Sequence, residues 1–396
     1  MEADLITVEG ALSKIEQNVS LLAPKLMSIK DAGGLVLAED LRSKINMPPF
    51  RQSAMDGYAV RYEDKGVEHL ELIGEVAAGV DASSIQLKQG QAVRIFTGAM
   101  VPDSADTVIR QEDIVHLDSR IQVDIWPKCG ANIRPEAEQT SKGEIIAKSG
   151  DVLNPARLSY VAGMGVSNLW CYPKAKIAVV ITGSELQRNT EELRPGCIYE
   201  SNSYAITGSI KNVDNQYLKL FYLNDELRLS VEVFKTQLNE YDCVIFSGGI
   251  SVGDYDFVAQ ILDDESVEKV FYKVKQKPGK PLFFGKRDQQ YIFALPGNPA
   301  AALTCMYVYV NPAIRKMMGW SDFHTETINL SLKETIELKG GRSQFLKARQ
   351  DGASVDVLEY QSSAMLKSFA EADCLVYLNG EKPCYQKGEI VKCYKL

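Results

Sequence analysis

The chain has 396 residues, 45% of them hydrophobic and 24% charged, which is long for one core and unlike disordered or collagenous sequence. Its formal net charge of −8 argues against sequence-independent nucleic-acid binding as the main role. Eight cysteines without a CxxC, and three histidines (His69, His116, His324) far apart in sequence, disfavour a disulfide framework, a structural zinc site and a histidine-based triad. The acidic start, Met-Glu-Ala-Asp-Leu, lacks a basic region before an apolar run, and no stretch is apolar for a membrane span. A soluble, cytoplasmic protein is expected.

In chain order, residues 6–45 read as helical. Val8, Leu12, Ile15 and Val19 recur at helical spacing, and 32–41 follows a break near Pro24. Asn46–Val60, with adjacent prolines and then Asp56-Gly57, reads as an ordered loop entering a strand. From 60 to about 150 the pattern becomes short β runs, at 70–76, 92–96, 107–110, 120–125 and 144–146, separated by turn clusters. Arg94-Ile-Phe-Thr97-Gly98 reads as a strand ending in a hydroxyl and a glycine, and 151–165 returns to helix. Helical flanks on both sides mark the β-rich segment as an insertion. The expected division is a helical, dimer-forming layer (1–45 plus 150–172), an inserted β-rich domain (46–149), an α/β domain (173–325) and a small C-terminal β-barrel (326–396).

Residues 174–320 carry three strand–glycine turn–helix units. The first is Lys176–Thr182 running into Gly183-Ser184-Glu185. The second is 241–262, with Ser247-Gly248-Gly249 as its turn, and the third is Tyr291–Leu295, then Pro296-Gly297-Asn298, then a helix over 300–317. Such alternation predicts a parallel sheet whose ligand sits at the carboxyl ends of the strands. Glycines let backbone N–H groups converge, so the second turn is a candidate anion cradle. Asp254 and Asp256 follow it directly, and carboxylates beside an anion call for a cation between them. The bland alternative is a tight turn with Asp254 as helix cap. Lys277-Pro-Gly-Lys280 adds two lysines in a proline-stiffened loop. Neither a Walker A run nor a G-x-G-x-x-G opening a helix after a strand is present, which disfavours an ordinary P-loop or dinucleotide enzyme. Residues 327–396 return to short alternating runs, as in a small barrel or sandwich.

Six motifs occur in order: Ser53–Val60 (Ser-Ala-Met-Asp-Gly-Tyr-Ala-Val), Arg94–Ala99, Ile181–Leu186, Ser247–Gly253, Lys277–Pro281 and Leu295–Pro299. Together they resemble the molybdopterin molybdenumtransferase family, the bacterial MoeA proteins and the E domain of gephyrin, across essentially the whole chain. The resemblance implies insertion of molybdate at the dithiolene of adenylylated molybdopterin, with Mg²⁺-dependent release of AMP. It also implies a homodimer with an active cleft shared between subunits, transient contact with the molybdopterin adenylyltransferase, and no nucleic-acid or membrane partner. Carried over by motif, Glu185 and Asp256 would hold Mg²⁺ and act in catalysis, while Asp56 and Thr97 would reach in from the other subunit. Lys277 and Lys280 would bind anion, with Ser247, Gly248, Gly249, Pro296, Gly297, Asn298 and Ser363 lining the substrate site. Asp225 is a weaker match.

Two positions depart from the family pattern. Gln139 stands where a carboxylate is expected, with Glu136 or Glu138 as possible substitutes, and Lys347 stands where an arginine is expected to meet an oxyanion. An amide is no charge partner for Mg²⁺, and a lysine lacks the bidentate fork. Two other readings follow: an adenylyltransferase, since the sheet domain alone resembles those enzymes, and a non-catalytic scaffold.

Overall fold

The structure, a computed structural model, describes residues 5–211, 217–223, 237–249 and 267–396. Asp225, Asp254 and Asp256 lie outside the described residues.

A six-stranded sheet forms the centre, in the order Leu218–Leu223, Ile177–Thr182, Cys243–Ser247, Gln290–Leu295, Phe283–Arg287, Glu268–Tyr272. The first four strands are parallel. The last two are antiparallel additions, so the expected parallel sheet is mixed. Ile177–Thr182, Cys243–Ser247 and Gln290–Leu295 are buried at every position, as strands covered on both faces must be. Register sets Ile181 beside Ser247 and Ser247 beside Leu295, so three carboxyl ends finish at one edge.

The first of the three units departs from the simple pattern. After Thr182 the chain forms a short ribbon, Leu186–Gln187 paired with Ile198–Tyr199, before the helix Asn202–Lys211. The intervening 188–196 is polar and ends in Pro195-Gly196, so it has no apolar face to bury as a helix. The helix expected over 257–262 lies outside the described residues. The third unit is continuous: Pro299–Cys305, a π-helical turn Met306–Val310, then Asn311–Met317.

The N-terminal region corrects the expected helical layer. Only Val8–Asn18 is α-helix in 6–45, capped by the Thr7 hydroxyl accepting from Gly10 N. Its Val8, Ala11 and Ile15 join the core that lines the central sheet, alongside Ile177, Val179 and Phe293. Beyond Pro24 the chain is strand: Lys25–Ser28 and Val36–Leu37 flank Asn168–Tyr172 in a three-stranded sheet. The Ala32-Gly33-Gly34 turn, with Gly34 at φ +76°, reverses the chain where a helix was expected to run on. This sheet and the helix Pro155–Gly163 share a separate core of Leu35, Leu37, Leu153, Val161 and Leu169. The layer is therefore a small sheet with one helix.

The β-rich segment holds a six-stranded sheet including Gly57–Val60, Leu70–Val76, Gln91–Ile95 and Thr107–Arg110. At the C-terminus five strands close into a barrel: Ser343–Asp351, Ser354–Val357, Thr327–Leu332, Ile390–Lys395 and Cys374–Leu378, the last pairing back to the first. A sixth strand, Gln276–Lys277, pairs in parallel with Ser343–Gln344, although it belongs to the lysine-bearing segment of the sheet domain.

Candidate functional site

The three carboxyl ends converge because their glycines permit contact between backbones. Gly248 has φ +94°, and a Cβ there would lie 2.6 Å from the Thr182 carbonyl oxygen. A Cβ on Gly297 would reach within 3.7 Å of Gly248 Cα. The first turn is shaped around its acid: at Gly183, with φ +145°, a Cβ would meet the Glu185 carboxylate at 2.8 Å. Glycine thus lets the exposed Glu185 lie over its own turn.

Between these turns lies a cavity of about 570 Å³ lined by Thr182, Glu185, Asn202, Ser247, Gly248 and Asn298, among others. Gly249, Pro296, Gly297 and Ala364 also face it. The size suits a small-molecule ligand (about 300–1,000 Å³). Of the expected site residues, Glu185, Ser247, Gly248, Gly249, Pro296, Gly297 and Asn298 are brought together here. Ser363 joins them through its hydroxyl, which accepts from Asn298 Nδ2 at 3.0 Å, while its carbonyl accepts from Ala301 N at 3.2 Å.

Polar residues passed over in the sequence build the opposite wall. Asn202 opens its helix and donates from Nδ2 to Ser247 Oγ at 2.9 Å and to the Gly297 carbonyl at 2.8 Å. Glu200 is buried, and its two oxygens accept from Ser203 N at 2.7 Å and Ser203 Oγ at 2.5 Å, fixing the helix start. The signal was available: polar Glu200-Ser-Asn-Ser203 after Pro195-Gly196 is a helix-start pattern.

Three expectations fare differently. Lys277 and Lys280 are exposed, and neither lines the cavity, although Pro281 beside Lys280 does. Lys347, expected to meet an oxyanion, does not line the cavity. It is 2% exposed, and Nζ donates to the carbonyls of Tyr360 at 2.9 Å, Ser362 at 3.2 Å and Met365 at 3.1 Å. Its three N–H groups are spent on the loop that presents Ser363, and burial pushes its pKa below the ordinary lysine value.

Asp56 and Thr97 come together in the inserted domain. Asp56 Oδ1 accepts from Thr97 N and Thr97 Oγ1, both at 2.8 Å. The backbone N–H first, then the hydroxyl and the nearby Arg94 charge, hold the Asp56 carboxyl below the usual carboxylate range. Arg94 lies 4.9 Å from the Tyr58 ring and donates to Gln111 Oε1 at 2.7 Å, beside an open groove of about 710 Å³. Among the described residues no part of the inserted domain lines the sheet-edge cavity. Gln139 is exposed, and Glu136 accepts from Asn46 Nδ2.

The donor set around the cavity is all oxygen and nitrogen, which suits a hard cation such as Mg²⁺ in kind. Among the described residues no cluster of three or more His, Cys, Asp or Glu is placed to hold a metal. Glu185 supplies a carboxylate there, while Glu200 is committed to Ser203. No helix among the described residues is long and apolar enough to cross a membrane.

Comparison with known proteins covers nearly the whole chain. Family models described as the MoeA N-terminal region (domain I and II), a probable molybdopterin binding domain and the MoeA C-terminal region (domain IV) match residues 6–165, 178–316 and 329–396. A molybdopterin molybdenumtransferase of Haemophilus influenzae is 33% identical over 98% of both chains. One of Staphylococcus epidermidis is 30% identical, covering 98% of this chain and 94% of the relative. The crystal structure of a molybdopterin biosynthesis MoeA protein of Pyrococcus horikoshii superposes with a TM-score of 0.85 at 27% identity, covering 99% of both chains. The three turns at one sheet edge, the inserted β-rich domain and the closed barrel thus accompany full-length similarity, and the chain belongs to the molybdopterin molybdenumtransferase family.

Proposed function

We propose that this chain is a transferase of molybdenum cofactor biosynthesis that inserts molybdate at the dithiolene of adenylylated molybdopterin and releases AMP with Mg²⁺. The observation that carries this reading is the cavity of about 570 Å³ where three glycine turns meet, with Glu185 over one turn and hydroxyl and amide donors on the others. The phosphoanhydride carries negative charge that must be neutralised before it breaks. Bound Mg²⁺ would supply that neutralisation, held by Glu185 and by Asp256, which lies outside the described residues. The chain's own groups bind and orient. Ser247 and Asn298 face the ligand, the Ser363 loop buttresses Asn298, and the exposed Lys280 beside Pro281 offsets charge at the rim. The dithiolene sulfurs come with the substrate, which accords with cysteines that are scattered and largely buried.

The Asp56–Thr97 pair lies on a different domain from this cavity. In a homodimer with a shared cleft, that pair would complete the site of the partner subunit. The adenylyltransferase that supplies the substrate would be a transient partner. The test incubates purified protein with adenylylated molybdopterin, Mg²⁺ and molybdate, and follows AMP. Molybdate-dependent AMP release is expected, together with a dimer by light scattering. Binding without AMP release would overturn the catalytic reading, and adenylylation of molybdopterin from ATP would replace it with the earlier step.

A further inference from the structure

Asn202 joins three elements in one amide: the start of its own helix, the end of the strand Cys243–Ser247 and the third turn. The orientation of that amide is fixed chemically. The Gly297 carbonyl can only accept, so the group facing it at 2.8 Å is Nδ2, and the same nitrogen donates to Ser247 Oγ at 2.9 Å. Among the described residues Asn202 Oδ1 is buried without a partner. A buried acceptor without a donor is a cost to folding. The residue lines the wall of the cavity.

The consequence falls on Ser247. A hydroxyl has one hydrogen to give, and Ser247 Oγ already accepts from Asn202. Among the described residues nothing accepts that hydrogen. The neighbouring Gly248 N–H is meanwhile spent on the Leu295 carbonyl at 3.3 Å. That N–H is therefore not free for a ligand, and the Ser247 hydroxyl beside it is the donor left at this point of the turn.

We propose that Asn202 is a positioning residue that fixes the Ser247 hydroxyl as a hydrogen-bond donor to a phosphate-type oxyanion of the substrate, while locking the second and third turns together. This rests on the cavity being the substrate site. Asn202 does not touch the anion; it acts through Ser247. Asn202→Asp reverses the polarity, because a carboxylate accepts the Ser247 hydrogen and offers the Gly297 carbonyl no donor.

The test measures AMP release with adenylylated molybdopterin for Asn202→Ala, Asn202→Asp, Ser247→Ala and the double variant N202A/S247A, with thermal melts of each. Loss of one hydrogen bond to a charged group predicts a KM raised about tenfold in Ser247→Ala and Asn202→Ala, with kcat little changed. Asn202→Asp should be worse, by about 100-fold in kcat/KM, through a withdrawn donor and an added like charge. The double variant should be no worse than Ser247→Ala alone in kcat/KM, and Asn202→Ala should melt a few degrees below the parent while still folding cooperatively. Should Asn202→Ala not fold, the near-isosteric Asn202→Asp carries the comparison. Additive losses in the double variant, or a normal KM in Asn202→Ala beside an impaired Ser247→Ala, would overturn the positioning role and leave the site assignment standing. A normal KM in Ser247→Ala would remove the cradle from the substrate site, and the proposal with it.

Discussion

Replacing Lys347 by methionine tests how the barrel supports the site. The residue is 2% exposed, and its ammonium gives its three N–H groups to three carbonyls of one loop, those of Tyr360, Ser362 and Met365. The loop is also tied by Ser368 Oγ donating to Tyr360 O at 2.8 Å, so it keeps one anchor. A hydrogen bond to a charged group contributes about 1.5–3 kcal/mol, and three would sum to about 4.5–9 kcal/mol if nothing relaxed. Some carbonyls can turn to water once the lysine is gone, and methionine fills most of the volume. The expected loss is then about 3–5 kcal/mol, similar to removing one side of a buried ion pair. Arginine should not rescue it, because its planar fork cannot aim at three carbonyls converging on a point, and its extra bulk costs about 1–3 kcal/mol. The chain has several separate cores, so one global melt would blur the effect. Hydrogen exchange resolved to peptides covering 343–351 and 360–368 reads it directly. Lys347→Met should lose protection there while peptides of the central sheet keep theirs, and KM should rise as Ser363 loses its seat on Asn298. Unchanged exchange in both peptides, with stability within about 1 kcal/mol of the parent, would refute the clamp.

At Asp56, Thr97→Val removes the hydroxyl donor and leaves the stronger backbone one. The Asp56 midpoint, followed by carboxyl-carbon NMR, should rise part of the way towards about 3.9, and an unmoved midpoint would contradict the pairing. Because the folded-state value is the depressed one, the stabilisation is present above the unfolded pKa and is lost as pH falls through the folded midpoint. Gly248→Ala combines a φ of +94° with a Cβ 2.6 Å from the Thr182 carbonyl, and should cost about 2–4 kcal/mol in a thermal melt as well as substrate binding. A melt unchanged from the parent would show that the turn is not held by this contact. Burial raises the thiols of Cys171, to about 11, and of Cys243 and Cys305, so a disulfide reagent should label the exposed Cys129 in the native protein and reach those three only after unfolding. Rapid native labelling of Cys243 would contradict the buried strand.

Strong local chemistry was readable from sequence. The glycine turns after Thr182, Ser247 and Leu295 announced a strand edge where turns meet, and the structure places a cavity there. The alternating runs of 327–396 likewise announced a barrel. The region 25–42 misled, because Leu35, Val36 and Leu37 are apolar without a period long enough to tell strand from helix, and their partner strand Asn168–Tyr172 lies far along the chain. Lys347 misled for another reason. A lysine in a family position normally held by arginine invites a ligand role, and only folding shows three carbonyls converging on it. Glu200-Ser-Asn-Ser203 was legible as a helix start, but not as part of a site, because what Asn202 joins is tertiary.

The strand Gln276–Lys277 ties the barrel to the segment before it. Ser343 N donates to Lys275 O at 3.1 Å, and Gln276 Nε2 reaches the Pro278 carbonyl at 2.9 Å beneath the barrel's first long strand. The barrel is consequently a poor unit for transplantation. A fragment cut after the central domain would carry an unsatisfied strand edge, the feature that drives chains to aggregate or exchange segments. Chimeras between relatives should therefore take the central sheet domain and the barrel from one parent, because the strand that covers the barrel edge precedes two strands of the central sheet.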